Sequence, residues 1–309
     1  MAIDVLEIRL LGGFSVRLGN QPITWFRSAK MRALLAYLAA QADQDHARTL
    51  LATLLWGDLP DAAAKTNLRI ELSNLKKLLS AHPALEISSG TVRFHSALSV
   101  IDVHEFSQAT TRFFVLPVEA QTGDLRDLAA TIDLYQGEFL AGFSLNDAIE
   151  FDDWRIGRQE QLHELMMLTL TTLQQRYAEQ SRWAELASVA RRQLALVPWI
   201  ESAHRNLMQA LAAQGQTQAA LEQFAKCAKI LQEEFGGEPS LPTVEFIERL
   251  RNGRAAAQPT QHNLTRQLKA MVGRKTEIAR LLALLQRENL VTILGIGGVG
   301  KSHLAQTVA

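Results

Sequence analysis

The spacing of apolar residues changes near residue 28 and again near residue 85, and those two changes restrict what the first third of the chain can fold into. Before residue 28, apolar and polar residues alternate: Leu6, Ile8 and Leu10 oppose Glu7 and Arg9, and Phe14, Val16 and Leu18 oppose Ser15 and Arg17. A period of two belongs to strands, and Gly12-Gly13 and Gly19-Asn20 predict turns between them, so a small antiparallel sheet is expected. The period then lengthens. Met31, Leu34, Leu35 and Leu38 predict a helix beginning near Ser28, and Leu50, Leu51, Leu54 and Leu55 a shorter one after Thr49, closed by Gly57 and Pro60. A third helix is expected from Asp61 as N-cap to about Leu79, with Ala64, Leu68, Leu72, Leu75 and Leu79 as one narrow stripe. Alternation returns at 85–88 and 91–95, a hairpin turning at Ser89-Gly90. Strands, three helices and a hairpin in that order predict an α+β winged helix-turn-helix over residues 1–100.

Residues 101–251 read as helical almost throughout, with breaks at Pro117, Gly137, Gly142, Pro198, Gly215 and Gly236-Gly237. A repeat of about 34 residues sets Leu173, Tyr177 and Pro198 in one frame and Leu207, Leu211, Gly215, Ala220 and Phe224 in the next. These are tetratricopeptide spacings, so a TPR-like all-α domain is expected, its helix pairs stacked around a groove. Residues 252–268 mix Gly, Pro, Asn and Gln and read as a linker. Within 269–309, a helix carrying Ile278, Leu281, Leu282 and Leu285 leads to a buried strand at 290–294, then to GIGGVGKS and a helical start. The expected whole is a mainly α multidomain chain that closes on the truncated start of an α/β P-loop domain.

The zero net charge conceals a partition: residues 1–100 carry +3, 101–255 carry −8 and 256–309 carry +5. Both ends are thus expected to meet anionic partners. The one cysteine, Cys227, excludes an intramolecular disulfide and a structural zinc site of the Cys₂His₂ or Cys₄ kind, and the eight histidines fall at no ligand spacing. No membrane span or secretory signal is read, so a cytoplasmic protein is expected. Glu150, Asp152 and Asp153 beside Trp154 read as a charged helix start in preference to paired catalytic carboxylates. Trp56, Trp154, Trp183 and Trp199 read as core or groove walls in preference to base-stacking platforms.

Two motifs remain that carry chemistry. On the third helix, Thr66, Arg69, Ile70, Ser73 and Lys77 fall opposite the buried stripe, with Lys65 and Lys76 at the margin. A hydroxyl and basic face after a short helix and a tight turn is what a recognition helix in the major groove needs. Lys65, Lys76 and Lys77 would neutralise phosphates, and Arg69, Ser73 and Thr66 would reach base edges. Arg93 in the hairpin would enter the minor groove as a wing residue. A solvated helix face is the plain alternative for this charge.

The second motif, Gly295 to Ser302, fits G-x-x-x-x-G-K-[ST] in full between a strand and a helix. Gly295, Gly297, Gly298 and Gly300 would let backbone N–H groups cradle phosphates, Lys301 would reach the β/γ-phosphates, and Ser302 would hold Mg²⁺. ATP or ADP with Mg²⁺ is the expected cofactor. Only eight residues follow Lys301, so no Walker B acid is expected and this chain should not be an enzyme.

The stretches LRIELSNLKKLL, LLWGD, YQGEFLAGF and LQEEFGGEPS together resemble the SARP-type bacterial transcriptional activators over residues 6–251. In larger members the winged helix and bacterial transcriptional activation domain precede a STAND (NB-ARC-like) nucleotide-binding domain opened by Val-Gly-Arg, which Val272-Gly273-Arg274 matches here. The resemblance implies a regulator that binds double-stranded promoter DNA as a homodimer on direct repeats, contacts RNA polymerase, and is switched by nucleotide lying near Arg274. Where the family's recognition helix ends in an arginine pair, this chain has Lys76-Lys77, which keeps phosphate binding and gives up bidentate reading. A signalling ATPase whose winged helix and TPR-like domain bind protein partners is the alternative reading.

Overall fold

The computed structural model describes residues 5–80, 82–115 and 125–253. Three strands open the chain: β1 (Leu6–Arg9), β2 (Ser15–Leu18) and β3 (Gln21–Pro22). They pair antiparallel with Ile8 opposite Val16, so the apolar residues of the alternating pattern share the buried face. Gly19 makes the turn with φ 57°, a conformation that suits glycine. Helix α1 (Ala29–Ala40) is capped by Ser28, whose hydroxyl accepts from the Met31 N–H at 2.9 Å. Strand β4 (Asp45–Ala47), α2 (Arg48–Trp56) and α3 (Asp61–Leu78) follow, then β5 (Leu85–Ile87), β6 (Thr91–Phe94) and β7 (Ser99–Ile101).

Three expectations are corrected. The first sheet is not purely antiparallel: its order is β3-β2-β1-β7, and β7 runs parallel to β1 from the far end of the winged helix. The hairpin is not alone either, because β4 pairs with β6 to make a sheet of order β4-β6-β5. Three-residue strands with no adjacent turn signal leave little periodicity to read. Finally, Pro60 and not Asp61 occupies the N-cap of α3. The Pro60 carbonyl accepts from Ala63 and Ala64, while Asp61 becomes the first helical residue, where its negative charge meets the positive end of the helix dipole.

The regular elements after β7 are helices: α4 (Asp102–Val115), α5 (Leu125–Thr131), α6 (Ile149–Glu179), α7 (Trp183–Leu196), α8 (Glu201–Ala213), α9 (Thr217–Phe235) and α10 (Leu241–Arg251). Short turns join α6 through α9, so successive helices lie side by side and antiparallel. The repeat positions Leu173, Tyr177, Leu207, Leu211 and Ala220 are buried between them, and Gly215 makes the α8–α9 turn with φ 75°.

The residues on either side of position 100 pack together, and Met1–Ala255 form one compact unit. The Asp102 carboxylate accepts from the N–H groups of Leu10 and Leu11 at 2.8–2.9 Å. The Leu10 carbonyl in turn accepts from Leu140 N–H at 2.8 Å, and Leu11 bridges Phe139. Gly12 is required there: its φ is 96°, and a Cβ on it would stand 2.9 Å from the Cβ of Gln136. Farther along the contact, Trp154 of α6 packs on Tyr37 of α1 at 4.7 Å between ring centroids, and Lys30 pairs with Asp147 at 3.0 Å. Among the described residues, no helix is long and apolar enough to cross a membrane.

Candidate nucleic-acid interface

Helix α3 divides into two faces. Ala64, Leu68, Leu72, Leu75 and the following Leu79 are buried against α1 and α2, which fixes the helix's rotation. Lys65, Thr66, Arg69, Ser73, Lys76 and Lys77 are all exposed as a consequence. A hydrogen bond from the Ser28 hydroxyl to Glu71 at 2.8 Å ties one edge of α3 to the start of α1. Lys65 meets Asp61 at 3.7 Å one turn back, and the Thr66 hydroxyl donates to the Ala62 carbonyl at 2.8 Å. Among the described residues, Arg69, Lys76 and Lys77 form no ion pair, so three positive charges face outward uncompensated. Lys76 and Lys77 also sit in the last turn, where the helix dipole favours cations.

The other edge of α3 faces the hairpin. Arg48, the first residue of α2, donates its N–H to the Gly90 carbonyl at 3.0 Å and its guanidinium to the Ser88 carbonyl at 3.4 Å. The turn is thereby held beside α3, leaving an open cleft of about 370 Å³ whose lining includes Arg48, Thr49, Lys65, Arg69, Ser89 and Gly90. Arg48, Thr49, Ser89 and Gly90 were not among the expected interface residues. The signal that could have found Arg48 was a base at a helix start, but it became visible only once β4 was known to place that start against the turn.

Arg93 stands in the hairpin, on one of its strands. It lies in the central strand β6, opposite Asp45 on one neighbour and Glu86 on the other, and its guanidinium contacts Asp45 at 3.5 Å. Its charge is therefore matched within the sheet, and the tip itself is Ser89-Gly90.

The aromatic residues divide. Trp56 is buried, and Trp154 and Trp183 pack against the core as expected. Trp199 instead lies at the surface, 45% exposed, edge-on to Phe235 at 6.3 Å, because the α7–α8 turn carries it outside the stack. Trp25, in the loop before α1, is more open still at 69%. The nucleotide-site residues Arg274, Gly295, Gly297, Gly298, Gly300, Lys301 and Ser302 lie outside the described residues.

Residues 101–251 match the family described as the bacterial transcriptional activator domain. The chain is 26% identical over 99% of its length to the regulatory protein AfsR of Streptomyces griseus, and 27% identical over 91% to AfsR of Streptomyces coelicolor. It spans about a third of the length of these relatives, 32% and 30%. Among solved structures it is similar to Mycobacterium tuberculosis EmbR, in a complex with a low-affinity phosphopeptide, with TM-score 0.59 and 19% identity over 92% of this chain and 72% of that one. At that identity the likeness establishes the fold.

Proposed function

We propose that this chain is a transcriptional activator of the SARP type that binds promoter DNA by laying α3 in the major groove, a reading supported by the match of residues 101–251 to the bacterial transcriptional activator domain and by the similarity to AfsR. The observation that carries the reading is the outer face of α3: hydroxyls and uncompensated bases opposite a fully buried stripe. A helix held rigidly on one side and open on the other presents side chains to base edges without having to rearrange. Lys65, Lys76 and Lys77 supply phosphate contacts, and Arg69, Ser73 and Thr66 supply base contacts. Arg48 and the Ser89-Gly90 turn extend the phosphate track along the cleft. Arg93, whose guanidinium lies 3.5 Å from Asp45, is the wing contact of this reading.

RNA polymerase as a protein partner and a homodimer on direct repeats belong to the same reading, supported by the activator family. So does a nucleotide switch at Arg274, Lys301 and Ser302, supported by the complete P-loop motif in the sequence. The proposal is tested by selecting duplexes from a random library on the whole chain. Enrichment of one short motif, lost on substituting Arg69, is the expected result. No enrichment, with binding that salt does not weaken, would favour the protein-partner ATPase instead.

A further inference from the structure

At the centre of the outer face of α3 stands a residue that phosphate or hydrogen-bond chemistry does not explain. Ile70 is 44% exposed, a full aliphatic side chain on a face otherwise made of hydroxyl and basic groups. Helical spacing places it beside Thr66 on the turn before and beside Ser73 and Asn74 on the turn after, with Lys77 two turns on. It is not needed for the core, which Leu68 and Leu72 complete from the opposite side. The floor of the major groove presents one apolar group to a reading helix, the 5-methyl of thymine. We infer that Ile70 reads that methyl group, and so selects a thymine at one position of each site that Arg69 and Ser73 flank. The inference rests on the DNA-reading function proposed above.

The probe is the duplex selected from a random library by the whole chain, with each dT replaced in turn by dU, which lacks only the methyl. At one position per site the wild-type chain should bind dU more weakly by about fourfold, the transfer value of one buried methyl group. Ile70→Ala should bind the dT and dU duplexes equally at that position, and Ile70→Val should keep part of the preference. Thr66→Ser, which removes the neighbouring methyl, should leave it unchanged. The assignment is overturned if Ile70→Ala retains the wild-type preference, if Thr66→Ser abolishes it, or if no dT is preferred over dU. An absence of any selected motif would overturn the DNA reading itself, which sets that failure apart from the other three.

Discussion

The backbone of Leu10 donates its N–H to Asp102 and offers its carbonyl to Leu140, so a residue in the first strand region is satisfied entirely by partners more than ninety positions away. Burial pushes the Asp102 carboxyl above the usual carboxylate range, while the N–H groups of Leu10, Leu11 and Val103 pull against that shift. No local pattern announces such a partner. The exposure of Arg69, Ser73 and Lys77, by contrast, follows from helical phase alone and was legible in the residues. His204 shows a second kind of residue-scale control. It is buried, its Nε2 donates to the Pro198 carbonyl at 2.8 Å, and its Nδ1 accepts from the Gln223 amide at 2.5 Å. Burial depresses its pKa below the ordinary histidine value, the Pro198 carbonyl partly opposing. A protonated ring would lose the Gln223 acceptor. The folded value lies below the unfolded one, so the stability is complete above about pH 6.5 and is lost as pH falls from there. Melting temperatures at about pH 7.5 and pH 5.5 check this: the drop should be smaller in His204→Gln than in the wild type. Equal drops would remove His204 as the cause.

Among elements, α3 was the most legible, because many residues repeat one spacing and a single buried stripe fixes the phase. Strands β4 and β7 were not, since three residues carry hardly more than one alternation. Their absence from the sequence reading also hid the partner of Arg93, which lies in the hairpin as expected but faces Asp45 of β4 across the sheet. The helix face makes a prediction at this scale. Arg69→Ala should weaken binding to a selected duplex by about 1–3 kcal/mol and broaden the motif at one position. Lys77→Ala should weaken all duplexes alike and reduce the salt slope by about one. Binding measured against salt for both variants separates the roles, and a uniform loss in Arg69→Ala would reduce it to a phosphate contact.

For residues 1–255, the division into a winged helix and a helical array is visible in sequence, yet the two share one packing. Strand β7, Asp102 and the Phe139–Leu140 edge all sit on the β1 region, and Trp154 covers Tyr37. Cutting the chain after residue 100 removes Ile101 of β7, Asp102, the Phe139–Leu140 edge and Trp154, and opens Leu10 and Leu11, which are buried in the intact unit. A 1–100 fragment should therefore melt without a cooperative transition, whereas a 1–255 fragment should melt in one step, as calorimetry would read. A sharp transition in the shorter fragment would show that the winged helix stands alone.

Whether α3 reads DNA is measured most directly by fluorescence anisotropy of the whole chain with the selected duplex and a scrambled one, across a salt series. Preference for the selected duplex of about 10³-fold or more, with affinity for both falling steeply as salt rises, is the predicted result. Equal binding to the two duplexes, unchanged by salt, would contradict it.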